Sequence, residues 1–306
     1  MKVLVTGGAG FIGSHVVDQL VREGHEVVVV DNLSTGRRKN LNRAARFYKV
    51  DIVSDRLKRV LRKERPIVLI HLAAHRHARQ AARDPLLPAE VDLLGSLNVL
   101  EHAVQYGTRK VIFASSGNHV YGEPHALPVS ESHSLRPHTK TGISKLAVEQ
   151  YIGHYHRHAG IGAVILRLSN VFGPRQRADH APGVIATFAT QMVHGEQPFI
   201  HGNGLQTRDY IYVRDVVDAV MAVLDPPIQG TYNVGTGRET TVNEIFRHVK
   251  ALTQAPCKEL HGPARKGEIP RMALDSSKLH EDTGWEPAVS LLEGLEETVR
   301  FYQQVR

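Results

Sequence analysis

The 306-residue sequence predicts an α/β protein, a doubly wound parallel sheet followed by a smaller C-terminal α/β lobe. Three observations predict it. Short apolar runs alternate with amphipathic helical patterns through the first half of the chain. The first run stops at a cluster of glycines that opens a helix. After about residue 172 the alternation weakens, with no long linker, repeat or low-complexity stretch.

In chain order, "KVLVT" (2–6) reads as a strand, 11–23 as an amphipathic helix and "EVVVVD" (26–31) as a second strand. "RFYKVDI" (46–52), "PIVLIHLAA" (66–74), "RKVIFASS" (109–116) and "AVILRLSNV" (163–171) follow as strands. Helices are expected over about 54–64, 86–106 and 142–159. Strands that are apolar along most of their length belong in a parallel sheet covered on both faces. Residues 173–183, "GPRQRADHAPG", read as a loop. A helix at about 184–194, a strand pair around 198–211, a helix at 215–224 and a strand "TYNVG" (231–235) come next. Helices at 242–253 and 291–304 close the chain. The expected division is 1–172 for the sheet domain and 173–306 for the second lobe, interleaved and with a cleft between them.

Composition narrows the class. The chain is 42% hydrophobic and 23% charged, as soluble globular proteins are. Its apolar runs are too short to cross a bilayer, so no membrane partner is expected. The first residues run straight into the glycine turn without a cleavage site, which reads as cytoplasmic. The single cysteine, Cys257, forms no internal disulfide, in keeping with a reducing compartment. The net charge of +7 favours anionic ligands, yet the basic residues are scattered and Arg37-Arg38-Lys39 is their densest run. That argues against a nucleic-acid partner. His154 and His158 share a helix face, but neither an HExxH spacing nor a cysteine pair supports a metal site.

The chemistry starts at "VTGGAGFIGSH", where Gly8-x-Gly10-x-x-Gly13 follows a strand and opens a helix. Glycines let the backbone turn tightly against a pyrophosphate, and the helix N-terminus faces its charge. The second strand ends in Asp31, 18 residues past Gly13. A carboxylate there accepts from ribose hydroxyls and repels a 2′-phosphate, which favours NAD, although Arg37 and Arg38 nearby keep NADP open. The sheet is therefore expected to be of Rossmann type.

With these blocks the sequence resembles the extended short-chain dehydrogenase/reductase family, in its nucleotide-sugar branch, and most closely the UDP-galactose 4-epimerases. "TGGAGFIGSH", "DNLSTG" (31–36), "VDI" (50–52), "HLAA" (71–74), "SSGNHVYG" (115–122), "RLSNVFGP" (167–174), "RDYIYVRDV" (208–216), "YNVGTG" (232–237) and "ARKGEIPRMALDSSK" (264–278) carry the resemblance across nearly the whole chain. It implies NAD held by Gly7, Gly10, Phe11, Ile12, Gly13, Asp31, Asn32, Asp51, Ile52, Leu72, Ala73, Ala74 and Lys145. It implies a UDP-sugar whose diphosphate meets Asn170, Arg208 and Arg265, since guanidinium forks match phosphate oxygens. Met272 falls where the family limits space beside the sugar C2 substituent. A homodimer through the helices at 86–106 and 142–159 is also implied.

The catalytic segment departs from the family. A Tyr-x-x-x-Lys pair normally takes the sugar 4-hydroxyl proton while hydride moves from C4 to the nicotinamide. Here Lys145 is kept but Thr141 stands in the tyrosine slot, and Gly117 stands where a Ser or Thr is usual. Ser116 and His119 are the candidates to fill the gap. An imidazole of pKa about 6.5 suits proton transfer at neutral pH, and His119 held at a strand end without catalytic duty is the plainer alternative. Thr141 could relay a proton through water to Lys145, and Tyr121 is usually structural in this block. The leading function is 4-epimerisation of a UDP-hexose through a 4-keto sugar with non-standard acid/base groups. A nucleotide-sugar dehydratase using His119 stays open, as does an NAD- and sugar-nucleotide-binding protein whose catalysis has been lost or engineered away.

Overall fold

The computed structural model describes residues 1–75, 84, 86–178, 183–225, 227–265 and 267–305; residues 179–182 of the expected 173–183 loop lie outside this set. Six strands come first: β1 (Lys2–Thr6), β2 (Glu26–Asp31), β3 (Arg46–Lys49), β4 (Val68–His71), β5 (Lys110–Ser116) and β6 (Gly162–Leu168). Short strands follow at β7 (Asn170–Phe172), β8 (Ile200–His201), β9 (Thr207–Arg208) and β10 (Tyr210–Tyr212). Then come β11 (Gly230–Val234), β12 (Thr240–Thr241) and β13 (His261–Gly262). The main sheet has seven parallel strands in the order β11-β6-β5-β4-β1-β2-β3.

The two-residue alternation along each strand divides its side chains between two cores. Val3, Val5, Val27 and Val29 face the helices Phe11–Arg22 and Val213–Ala222, meeting Val16, Leu20, Val216 and Val220. Leu4, Val28, Val30 and Val111 face the other way, onto Leu57, Leu61, Val99, Val148 and Ile152. Those residues belong to the helices Arg56–Glu64, Ser96–Gln105 and Lys140–Ala159. This double cover is why the strands read as continuous apolar runs. Chain order in the sheet reverses between β1 and β4, and the helices that follow these two strands lie on opposite faces, which leaves a crevice at their C-terminal ends.

The later part of the chain builds a separate core around Phe172, Phe188, Tyr210, Phe246 and Leu295. Helices Val184–Val193, Val242–Thr253 and Leu291–Gln304 supply most of it. The second of these opens on a capping box, Thr241 with Glu244, and the third on Ser290, whose hydroxyl accepts from the Glu293 amide at 3.3 Å. Before either, the chain returns to the main sheet through Val213–Ala222 and β11.

Several details depart from the reading of the sequence. The strand pair expected around 198–211 does not form. β8 pairs with β13, β9 with β12 and β10 with β7, so each short strand finds a partner far along the chain. The run expected as one strand over 163–171 divides at Ser169, where the chain leaves β11 and joins β10. The helix expected from residue 86 is wound as a π-helix over Ala89–Gly95 before it becomes α-helical at Ser96. Two short helices, Gly117–Val120 and Ser277–Thr283, carry no periodic signal long enough to predict.

Candidate active site

Every residue that the resemblance assigns to the cofactor lines one cleft of about 420 Å³ at the crevice of the sheet. Its floor is the turn after β1. Gly7 has φ of +70°, and a Cβ on Gly13 would stand 2.2 Å from the Gly7 carbonyl oxygen, so the turn closes only without side chains. The helix that follows has no side-chain cap at Gly10 and no acidic residue in its first turn. Its first amides are thus left to an outside acceptor, which fits the diphosphate of a dinucleotide.

Asp31 closes one end of the cleft. Its Oδ2 accepts from the Ala9 amide at 3.0 Å and its Oδ1 from the Leu33 amide at 2.7 Å. Burial raises its pKa, against the lowering effect of those two amides. Asn32 donates to Asp51 at 2.7 Å, which ties the end of β2 to the segment after β3.

The wall beside β4 rests on a buried relay. Ser96 donates its hydroxyl to the Asp92 carbonyl at 2.6 Å, so at 2.8 Å it accepts from His71 Nε2. His71 Nδ1 is then the acceptor for Thr6 Oγ1 at 2.6 Å, and that oxygen in turn accepts from the amides of Leu72 and Ala73. Burial, followed by the Lys145 charge, lowers His71 from its ordinary 6.5 to about 3. A neutral imidazole thus fixes the backbone of "HLAA", a role that the polar end of an apolar strand could have signalled.

The opposite wall carries the catalytic candidates. Ser116, His119 and Lys145 all line the cleft, and Ser116 Oγ lies 3.0 Å from His119 Nδ1. Lys145 Nζ donates to the Ala114 carbonyl at 2.7 Å and sits 4.9 Å from the centre of the Phe113 ring. Thr141 is half-buried in the first turn of the Lys140–Ala159 helix and is not among the lining residues. At Gly117 a Cβ would stand 2.7 Å from both methyl carbons of Leu274. A leucine therefore occupies the space that a side chain at this position would need.

Behind this wall runs a network that the sequence reading did not single out. Ser115 donates to Glu149, and Arg167 meets the same carboxylate through Nε and through Nη2 at 2.6 Å. The Arg167 and Glu149 side chains are 6% and 3% exposed. Arg167 Nη1 also donates to Tyr121 Oη at 3.0 Å, and Tyr121 donates to Asn233 Oδ1 at 2.7 Å. Burial raises the Tyr121 pKa, and both of its hydrogen-bond roles are spent inside the protein, which marks it as structural.

Of the substrate-side residues, Asn170 lines the cleft and accepts from Asn118 Nδ2 at 2.7 Å. Arg208 and Arg265 are not among the lining residues; Arg208 pairs with Glu268 at 3.1 Å and Arg265 is exposed. Met272 is 1% exposed and packs with Val120, Tyr121, Val129 and Leu274 in a small core behind the catalytic segment. Among the described residues no cluster of His, Cys, Asp and Glu could hold a metal ion.

The model of the NAD dependent epimerase/dehydratase family matches residues 3–235, well over half of the chain. The chain belongs to that family. It is 39% identical to the UDP-glucose 4-epimerase of Mycolicibacterium smegmatis, over 99% of this chain and 99% of that protein. Its fold is similar to the UDP-glucose 4-epimerase of Thermotoga maritima solved with UDP-glucose, with a TM-score of 0.97 and 42% identity, covering 100% and 99% of the two chains. The Thermus thermophilus UDP-glucose 4-epimerase in complex with NAD is similar at a TM-score of 0.93 and 39% identity, covering 99% of each chain.

Replacing Glu149 by Gln should cost about 3–5 kcal/mol in urea unfolding, because Arg167 is left buried without its counter-charge, and the double change to Met at both positions should cost far less; equal losses would mean that the pair is not the source. Because His71 takes up its proton at about 6.5 unfolded but only near 3 folded, stability should be full above 6.5 and fall as pH drops through that window. His71→Asn should flatten the slope of stability against pH there, and an unchanged slope would assign the slope to other groups.

Proposed function

We propose that the protein is an NAD-dependent 4-epimerase of a UDP-hexose, in which Ser116 and His119 together carry the proton that the family tyrosine normally handles. The observation that carries this reading is the Ser116–His119 contact of 3.0 Å, in the same cleft as Lys145 and the glycine turn. Near full-length similarity to proteins named UDP-glucose 4-epimerase supports the substrate class.

NAD held against Gly7, Gly10 and Gly13 would supply the hydride acceptor. The protein's own part is the proton. Ser116 Oγ takes the proton of the sugar 4-hydroxyl as it passes its own to His119 Nδ1, and the imidazole becomes a cation. Lys145 favours the negative charge on the reacting oxygen. When the sugar is reduced again on its other face, the same two groups return the proton, so the cycle needs no net acid or base. Among the described residues, the carboxylates that line the cleft are Asp31 and Asp51, engaged with Ala9, Leu33 and Asn32 beside the glycine turn. That leaves the dehydratase reading with no carboxylate beside Ser116 and Lys145, so that His119 would have to be its acid. Asn170 from the cleft wall, with Arg208 and Arg265 from the second lobe, would meet the diphosphate, and Arg208 would exchange Glu268 for phosphate. Exposed Leu94, Ile143 and Tyr151 on the two helix segments support assembly as a homodimer.

Incubation with UDP-glucose followed by proton NMR should give a C4-inverted product. His119→Ala should lower that rate by about 10²-fold or more, with Ser116→Ala similar. An unchanged rate in His119→Ala would remove the imidazole from the reaction, and a 4-keto-6-deoxy product would replace the epimerase reading with the dehydratase one.

A further inference from the structure

A second cavity of about 430 Å³ opens beside the first and shares Asn40, Arg175, Gln176 and Arg177 with it. Neither the motifs nor the reaction uses it. Its rim is cationic: among the described residues Arg37, Lys39, Arg175 and Arg177 line it with a single carboxylate, Glu196. Asp18 neutralises Arg175 at 2.7 Å, while Arg37 and Lys39 stand exposed on the 35–40 strap.

Among the described residues, two polar atoms of its lining, Gln176 Oε1 and Thr190 Oγ1, are buried without a hydrogen-bond partner. The Gln176 amide nitrogen donates to the Val171 carbonyl at 3.1 Å, so the orphan is the carbonyl oxygen and needs a donor. A bare anion would satisfy the cations and leave that oxygen unmet. A neutral polyol would do the reverse. Phe301 and Tyr302, packed edge to face at 5.5 Å, supply an apolar side.

We propose that this cavity binds a phosphorylated, hydroxyl-rich small molecule of the sugar-phosphate class. The phosphate meets Arg37 and Lys39, and a hydroxyl donates to Gln176 Oε1 while Thr190 Oγ1 bonds a second. The site is coupled to the glycine turn. Arg37 N and Asn40 Nδ2 both donate to the Ala9 carbonyl, at 3.0 and 3.2 Å, and Arg177 Nη1 donates to the Thr35 carbonyl at 3.1 Å. A ligand that holds the 35–40 strap therefore steadies the turn on which the cofactor would rest.

The test is calorimetric titration of the NAD-saturated protein with three probes: glucose 6-phosphate, inorganic phosphate and glucose. Glucose 6-phosphate should bind saturably at one site per chain, inorganic phosphate at least about tenfold more weakly, and glucose not measurably. Lys39→Glu should weaken glucose 6-phosphate at least about tenfold, and Thr190→Val, which removes only the buried hydroxyl, severalfold. NAD should dissociate more slowly with the ligand present. No saturable binding would overturn the proposal, as would binding that neither substitution alters. Inorganic phosphate binding as tightly as the sugar phosphate would overturn the hydroxyl-recognising site. None of these outcomes depends on whether the main cleft inverts C4.

Discussion

The buried ion pair of Glu149 with Arg167 is the constraint on which the catalytic wall depends. Two charges removed from water must be matched closely or they destabilise the fold, so each partner dictates where the other's backbone lies. Glu149 sits one helical turn beyond Lys145, and Arg167 sits on β6. Ser115, next to Ser116, is held by the same carboxylate. Through Tyr121 and Asn233 the pair reaches β11, and the Asn233 amide donates to the carbonyls of Val129 and Asp275 at 2.8 and 3.0 Å. Four elements that meet at one wall of the cleft are thus registered by a single polar chain with its hydrogen bonds made.

That registration explains how a site can lose the family tyrosine and stay ordered. The tyrosine position is only half-buried Thr141, and the neighbouring serine position is closed by Leu274 against Gly117. Leu274 fills the space beside Gly117, and Ser116 and His119 line the cleft next to it. On the other wall, the neutral His71 relay does the same work for the backbone of Leu72 and Ala73. A parallel logic runs through the later part of the chain, where buried Asp209 accepts from the amides of Thr236, Gly237 and Leu274, holding the "GTG" turn to the segment that plugs Gly117.

Much of this was legible in the sequence because its signals are local. The β1 turn, the helix after it and Asp31 at the end of β2 lie within the first 31 residues, and each is dictated by residues next to it. Most strands of the main sheet read correctly because burial on both faces leaves an apolar run, although the run expected over 163–171 continues past the end of β6. What could not be read depends on partners distant in sequence. β8, β9 and β12 have two residues each, too few for any periodicity, and pair across gaps of some 30 to 60 residues. Met272 carries no mark that separates a residue beside a ligand from one in a core. Glu149 and Arg167 look like ordinary helix and strand charges until the fold brings them together. The second cavity was invisible for the same reason, since its lining comes from four stretches of chain.

We propose that one cleft holds hydride acceptor and sugar together, with the proton kept by Ser116 and His119. The most direct test is the fate of the C4 hydrogen. UDP-glucose carrying deuterium at C4, turned over in ordinary water, should give C4-inverted product that retains the deuterium at C4, because that hydrogen moves as hydride within the cleft and returns. Product whose C4 deuterium has been replaced from solvent would contradict it.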